Sequence, residues 1–204
     1  MSIRIEEHDA GVSWTVREAM ARTSHALADG GRVWLIDPVD DAEALAAAQA
    51  RGRVAGVIQL LDRHPRDAAA LAERYGVPHL RLPGSVPDSP FEVVPVLDRK
   101  GWREVALWWP QRRALVVAET IGTSPFYALD HGPAGIHALI RLRPPGVLRG
   151  YPAEHLLVGH GRARHGSEAA IAIEHAYRHA RRDIPRLLAA IPRWGLAARG
   201  RSAK

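Results

Sequence analysis

Val57-Ile58-Gln59-Leu60-Leu61-Asp62-Arg63-His64-Pro65-Arg66-Asp67 passes from a largely apolar run into five polar residues around a proline, and Ala68 to Tyr75 then continues without Gly or Pro as far as Gly76. A short apolar run bounded by turn residues predicts a buried strand over Val54 to Leu61. The Ala-rich segment predicts a helix that Gly76 ends. With a further strand at His79 to Leu82, the stretch is a β-α-β passage, the unit from which parallel sheets are built. Polar side chains at the carboxyl end of such a strand lie where α/β folds assemble their sites. Asp62, His64 and Asp67 are therefore the first candidates, although Asp67 can equally cap the following helix and Asp62 can make an ordinary turn bond.

Outward from this segment the pattern stays alternately strand and helix. Towards the amino terminus, strands are predicted at Ile3 to Glu7, Val12 to Arg17 and Arg32 to Ile36, with a helix from Asp40 to Ala50 closed by Gly52. Towards the carboxyl terminus, strands are predicted at Phe91 to Leu97, Glu104 to Trp109 and Ala114 to Glu119, with Gln111-Arg112-Arg113 as a hairpin turn. Another strand, Glu154 to Val158, runs into Gly159-His160-Gly161. Ser167 is placed to cap a final helix on which Ala170, Ile173, Tyr177, Ala180 and Ile184 recur at helical spacing, punctuated by Pro185 and Pro192. Two sheets enclosed by helical layers satisfy this order, and Glu119 and His160 become the second and third strand-end candidates.

The 204 residues are 47% hydrophobic and 25% charged, the balance of one globular domain, here expected over 1–194 with a basic, disordered tail over 195–204. Cysteine is absent, so thiolate metal sites are excluded and any metal must sit on His, Asp or Glu. The amino terminus lacks the apolar core of a signal peptide and no stretch has the length of a membrane span, so the expected compartment is the bacterial cytoplasm, with no membrane partner. The net charge is +6, and residues 141–204 hold thirteen Arg or Lys against four Asp or Glu. Only two of the 28 basic residues are Lys, so a bias towards Arg and Ala accounts for the charge, and nucleic acid is not the expected partner.

The segment Val57 to Asp67, with the helix and Tyr75-Gly76-Val77-Pro78 behind it, resembles the metal-motif region of the metallo-β-lactamase fold, whose pattern is His-x-His-x-Asp-His after an apolar strand. Glu104-Val105-Ala106-Leu107 through Arg113 to Glu119 resembles the hairpin that ends in the family's metal-bridging Asp. Leu156 to Gly161 resembles the strand that delivers its last His, and Asp37, after Val33-Trp34-Leu35-Ile36, matches an early structural Asp. The resemblance runs in order from about Arg32 to His160 and into the closing helix. It implies a four-layer αββα sandwich with a site at the edge between the sheets.

By the same resemblance the metal motif is altered. Asp62 stands at the first His, His64 keeps the second, Arg66 replaces the Asp and Asp67 the final His. Arg99-Lys100-Gly101-Trp102 occupies the region of the family's third His, Glu119 stands for the bridging Asp, and His160 is retained. The implied protein is a hydrolase-like one with at most one divalent metal (zinc, manganese or iron) on a subset of Asp62, His64, Asp67, Glu119 and His160, acting on an ester, amide or phosphoester of an unidentified small molecule. The alternative is a non-enzymatic scaffold in which Arg66 and Lys100 replace the metal by pairing with Asp62, Asp67 and Glu119, and bind an anionic ligand or partner. His175 and His179 lie one helical turn apart and can bind a metal, but a solvated helix surface is the ordinary reading of that spacing.

Overall fold

The structure is a computed structural model describing residues 2–190. Residues 3 to 8 and 11 to 16 form the first hairpin, β1 (Ile3–His8) and β2 (Gly11–Val16), continued by β3 (Thr23–Asp29) and β4 (Arg32–Ile36). Helix α1 (Ala42–Gln49) crosses to β5 (Arg53–Gln59), and α2 (Ala68–Tyr75) to β6 (His79–Arg81). These six strands make one sheet in sequence order, antiparallel from β1 to β4 and parallel from β4 to β6.

The second sheet contains β7 (Glu92–Arg99), β8 (Trp102–Trp109) and β9 (Ala114–Val117). After a small ladder of β10 (Ile121–Gly122) and β11 (Gly135–Ile136), which flanks helix α3 (Pro125–Ala128), the sheet is completed by β12 (His155–Val158) and β13 (Arg164–His165). Its order is β13-β12-β9-β8-β7, and β9 and β12 are parallel. Helix α4 (Ser167–His179) packs on β11, β12 and β13.

The layers follow from which faces are apolar. Ile36, Ile58, Leu60, Leu107, Trp109, Val116 and Leu157 bury themselves between the sheets, while Leu115 and Val117 lie on the other face of the second sheet; Ala169, Ala172, Ile173 and Ala176 of α4 join the same cluster. Val12, Trp14, Leu35 and Val57 point to the other face of the first sheet and bury Leu45 of α1 and Leu71 of α2. Each sheet is thus covered outside by helix and inside by its partner, an αββα sandwich. Local chemistry supports the order: Asp41 caps α1 by accepting from the backbone N–H of Glu43 and Ala44 at 3.1 and 3.2 Å, and Gly76, at φ 61°, turns the chain out of α2.

Several expected boundaries shift. The segment Thr23–Asp29 is a central strand that sequence patterning misses, because its Ser, His and Ala have low strand propensity and are buried on both faces. Helix α1 stops at Gln49, short of Ala50. Strand β9 ends at Val117, so Glu119 lies in the loop beyond it. Gly166, not Ser167, occupies the cap of α4, and Ala170 is exposed while Ala169 is buried; Ile173 and Ala180 are buried, as their spacing suggested. The tail expected over 195–204, and Pro192, lie outside the described residues. No helix among the described residues is long and apolar enough to cross a membrane.

The two sheets are sutured beside the strand ends by backbone hydrogen bonds, Thr23 N–H to Gly159 O (2.8 Å), Gly161 N–H to Ala21 O (2.8 Å) and Val105 N–H to Leu60 O (2.9 Å). A buried side-chain chain adds to them. His25 Nε2–H donates to Val158 O at 3.1 Å, which leaves Nδ1 to accept from the Ser13 hydroxyl at 2.7 Å. Ser13 Oγ in turn accepts from His8 Nε2–H at 2.9 Å. Burial pushes the His8 imidazole down to about 3, helped by neighbouring histidines. Burial likewise pulls His25 down to about 4, partly opposed by its bond to Val158.

Between 6.5 and these values the unfolded chain binds more protons than the folded one. The stability these neutral imidazoles confer is therefore complete above about pH 6.5 and lost as the pH falls towards 4 and then 3. Urea unfolding followed from pH 7 to pH 4 is expected to show this loss, on the order of 3 kcal/mol from His25 alone. His25→Gln is expected to flatten the slope.

Candidate metal centre

Parallel strands that end at the same edge deliver their following loops to one place. Strands β4 and β5 of the first sheet and β9 and β12 of the second do this, and the loops behind them carry Asp37, His64, Glu119 and His160. Gly159 and Gly161 permit the last approach. A Cβ on Gly159 would stand 2.2 Å from Ala118 O, and one on Gly161, at φ 99°, 2.3 Å from Ser124 N, so the residues either side of His160 must be glycine.

Glu119 is the centre of the cluster. Its Oε2 lies 2.7 Å from His64 Nε2 and 3.7 Å from His160 Nε2, and its Oε1 lies 3.2 Å from His137 Nε2. The Tyr127 hydroxyl donates to Oε1 at 3.1 Å. Burial alone would raise the Glu119 carboxyl, but the His137, His160 and His64 imidazoles around it outweigh burial and hold the group far below the usual carboxylate range. Burial and the Glu119 charge push the Tyr127 phenol well above its ordinary value, so it remains a donor.

The loop that presents Glu119 is held from below by a second acid. Glu104 of β8 is 1% exposed, and its Oε1 accepts from the backbone N–H of both Glu119 and Thr120 at 2.9 Å. Its Oε2 accepts from the Thr120 hydroxyl at 2.8 Å and from the Trp102 indole at 3.2 Å. Burial raises the Glu104 carboxyl, and the bonds from Thr120, Glu119 and Trp102 work against that rise.

The histidines differ in role because their other ring nitrogens differ in partner. His160 Nδ1–H donates to Met20 O at 3.1 Å, which leaves the Nε2 lone pair of the neutral ring facing the cluster. His137 Nδ1 instead accepts from Leu139 N–H at 3.2 Å, so its Nε2 carries the proton and donates to Glu119. His64 Nδ1 is buried without a hydrogen-bond partner and faces Asp37 Oδ2 at 3.7 Å. Burial lowers His64, but the Asp37 and Glu119 carboxylates prevail and its pKa is raised.

Arg66 lies beside this cluster in the left-handed region at φ 40°. One guanidinium nitrogen donates to Thr23 O (2.6 Å) and Asp37 O (2.7 Å), and the other to Gly159 O (3.1 Å). It therefore spans the ends of β3, β4 and β12, and among the described residues it forms no ion pair with Asp62, Asp67 or Glu119. The expected replacement of a metal by Arg66 salt bridges is not the arrangement found. Lys100 is exposed in the turn between β7 and β8 and likewise pairs with none of those acids.

Of the five candidate ligands, three converge. His64, Glu119 and His160 offer ligand atoms within 4.8 Å of one another, and His64 Nε2 and His160 Nε2 are 3.3 Å apart. Asp67 does not join them: its Oδ2 accepts from Asp40 N–H at 2.8 Å and pins the loop before α1, and its side chain makes no capping bond to α2. Asp62 is also outside the group, its backbone N–H donating to Arg103 O at 3.0 Å and its Oδ1 buried without a partner.

His137, Tyr127 and Glu104 went unrecognised in the sequence as parts of the site. His137 follows a two-residue strand that no periodicity marks. Trp102, in the stretch where resemblance places a third histidine, packs edge-on against the His137 ring at 4.7 Å, and the Arg63 guanidinium lies over the Trp102 ring at 4.2 Å.

No protein-family model matches the sequence, and no curated protein matches it significantly. Among solved structures, the metallo-β-lactamase TMB-1 superimposes with a TM-score of 0.60 at 14% identity, over 89% of this chain and 98% of the other. The DIM-1 metallo-β-lactamase gives 0.56 at 15% identity, covering 88% and 97%. A metallo-β-lactamase from Hirschia baltica gives 0.54 at 10% identity, covering 86% and 97%. The αββα sandwich defines the fold class. Within that class this chain has the metallo-β-lactamase fold.

Replacing Arg66 tests how far the site's frame depends on it. Arg66→Met removes one donor from each of three strand-end carbonyls, of which Gly159 O keeps the Thr23 N–H at 2.8 Å and Asp37 O keeps the Ser24 hydroxyl at 2.9 Å. A loss of about 1–3 kcal/mol is expected in urea unfolding, and Arg66→Lys is expected to recover only part of it, because one ammonium cannot reproduce the planar fork.

Proposed function

We propose that this protein is a metal-dependent hydrolase whose site holds one divalent cation, zinc, manganese or iron, on His64, Glu119 and His160. The observation that carries the reading is the convergence of His64 Nε2, Glu119 Oε2 and His160 Nε2, with separations of 2.7, 3.3 and 3.7 Å. Ligands about 2.0–2.2 Å from a tetrahedral cation stand roughly 3.4 Å apart, so the three atoms are spaced as neighbours in one coordination shell. Two histidines and one glutamate also form the donor set of known hydrolytic zinc sites and of non-haem iron sites.

A cation in that position supplies Lewis acidity towards a carbonyl or phosphoryl oxygen and acidifies water to near neutrality. The chain's own groups prepare for it. The Met20 carbonyl fixes the His160 tautomer, and Asp37 stands behind His64 Nδ1, the carboxylate support typical of a ligating imidazole. His137 and Tyr127 donate to Glu119 Oε1 and orient the carboxylate so that Oε2 faces the two histidines.

The fixed guanidinium of Arg66 favours one cation over two. A guanidinium about 4 Å from a cation would repel each unit of its charge by roughly 4 kcal/mol at an effective dielectric near 20. The expected substrate is an ester, amide or phosphoester of a small molecule.

Untagged protein purified without chelator is expected to contain metal, of which His160→Ala removes about one equivalent per chain. The same variant is expected to lose hydrolysis of nitrophenyl ester and phosphoester probes, with circular dichroism confirming its fold. Equal metal in the folded variant and the parent would refute the proposal.

A further inference from the structure

A second group of imidazoles lies away from the strand edge, between α4 and the loop that follows α3. His175 and His179 occupy successive turns of α4, and their rings stack at 4.0 Å with an interplanar angle of 21°. His131 reaches them from the loop, its ring edge-on to both, with centroids 5.9 and 5.7 Å away. One ring nitrogen from each of the three lies within 4.8 Å of the other two.

The tautomers are set by the backbone. His175 Nδ1–H donates to Ala134 O at 3.1 Å, and His179 Nδ1–H donates to His175 O at 3.1 Å. In the neutral rings both Nε2 atoms therefore carry lone pairs, and these carbonyls support the rings as outer partners do around a ligating histidine. The loop is shaped to this arrangement: a Cβ on Gly132, at φ 97°, would stand 2.2 Å from His175 Cε1.

Three imidazoles gathered with one ring nitrogen each within 4.8 Å of the others gain little from one another unless something accepts their lone pairs. We propose that His131, His175 and His179 form a second metal site, a three-histidine site for a borderline transition cation such as zinc, nickel or copper(II). Nitrogen donors without an oxygen ligand select against magnesium and calcium, and three histidines leave a fourth position for water. The nitrogens already lie within 4.8 Å of one another, against roughly 3.4 Å in a tetrahedral shell, and all three side chains are partly exposed. Occupancy would clamp α4 to the segment after Tyr127, whose hydroxyl holds Glu119.

The site stands independently of the strand-edge centre, and the test separates them. Untagged full-length protein, stripped with chelator and dialysed, is titrated with zinc against a chromophoric chelator. His131→Ala and His179→Ala are each expected to lower the bound zinc by one equivalent per chain, and to abolish the part of the zinc-dependent rise in melting temperature that His160→Ala leaves. Both residues are partly exposed, and Ala suits the helix at 179, so both variants are expected to fold; circular dichroism checks this. Copper(II) bound to His160→Ala protein should further show nitrogen hyperfine coupling that His179→Ala removes. Zinc equivalents unchanged in both single variants would overturn the inference, even if His160→Ala removes metal. Loss in both, with no change in His160→Ala, would support this site and refute the strand-edge one.

Discussion

The guanidinium of Arg66 ties together three backbone carbonyls that no regular hydrogen-bond ladder joins. Thr23 O begins β3, Asp37 O follows β4, and Gly159 O follows β12, so one side chain links strand ends from both sheets. Gly159 O also accepts from Thr23 N–H and Asp37 O from the Ser24 hydroxyl, so the guanidinium adds a second donor to carbonyls already held by the backbone and a neighbouring side chain. A planar donor with several N–H groups satisfies them at once, where an ammonium on a flexible stem would satisfy them less completely. The position of Asp37, His64 and His160 relative to one another follows from that tie.

Glu119 is held by a second layer of the same logic. Glu104 fixes the Glu119 and Thr120 backbone from beneath, and the Glu119 carboxylate then gathers three imidazoles and a phenol. A carboxylate this well supplied with donors keeps its charge despite burial, and His64, between Asp37 and Glu119, is drawn towards its protonated form. A cation competes with protons for the same lone pairs. Arg66, whose charge lowers the His64 pKa, works against that protonation.

The polar groups of the molecule therefore divide by what their second atom does. His160 and His137 are both imidazoles on Glu119, yet one offers a lone pair and the other a proton, because Met20 O accepts from the first and Leu139 N–H donates to the second. Asp67 and Asp62, adjacent to His64 in the chain, turn away to the Asp40 amide and to the edge beside Arg103. In a turn of six residues, side chains next to one another point in divergent directions, and proximity in sequence is a poor guide to proximity at a site.

Much of the scaffold was legible in the chain itself. Apolar runs flanked by turn residues marked β4, β5, β8, β9 and β12, the Ala-rich stretches marked α1 and α2, and the resemblance along Arg32 to His160 pointed to the layered sandwich that superposition with solved metallo-β-lactamases supports. His64, Glu119 and His160 stood out because strand ends in such folds converge. Strand β3 escaped notice because a doubly buried strand of Ser, His and Ala has no alternation, and His137 because its two-residue strand has no period at all. The sequence alone determined which residues are apolar, where elements end and which side chains can ligate, since these depend on local chemistry. Only the tertiary structure decided that Arg66 serves three carbonyls, that Asp62 and Asp67 stand aside, and that His131 meets α4, because each depends on where long-range packing aims a side chain.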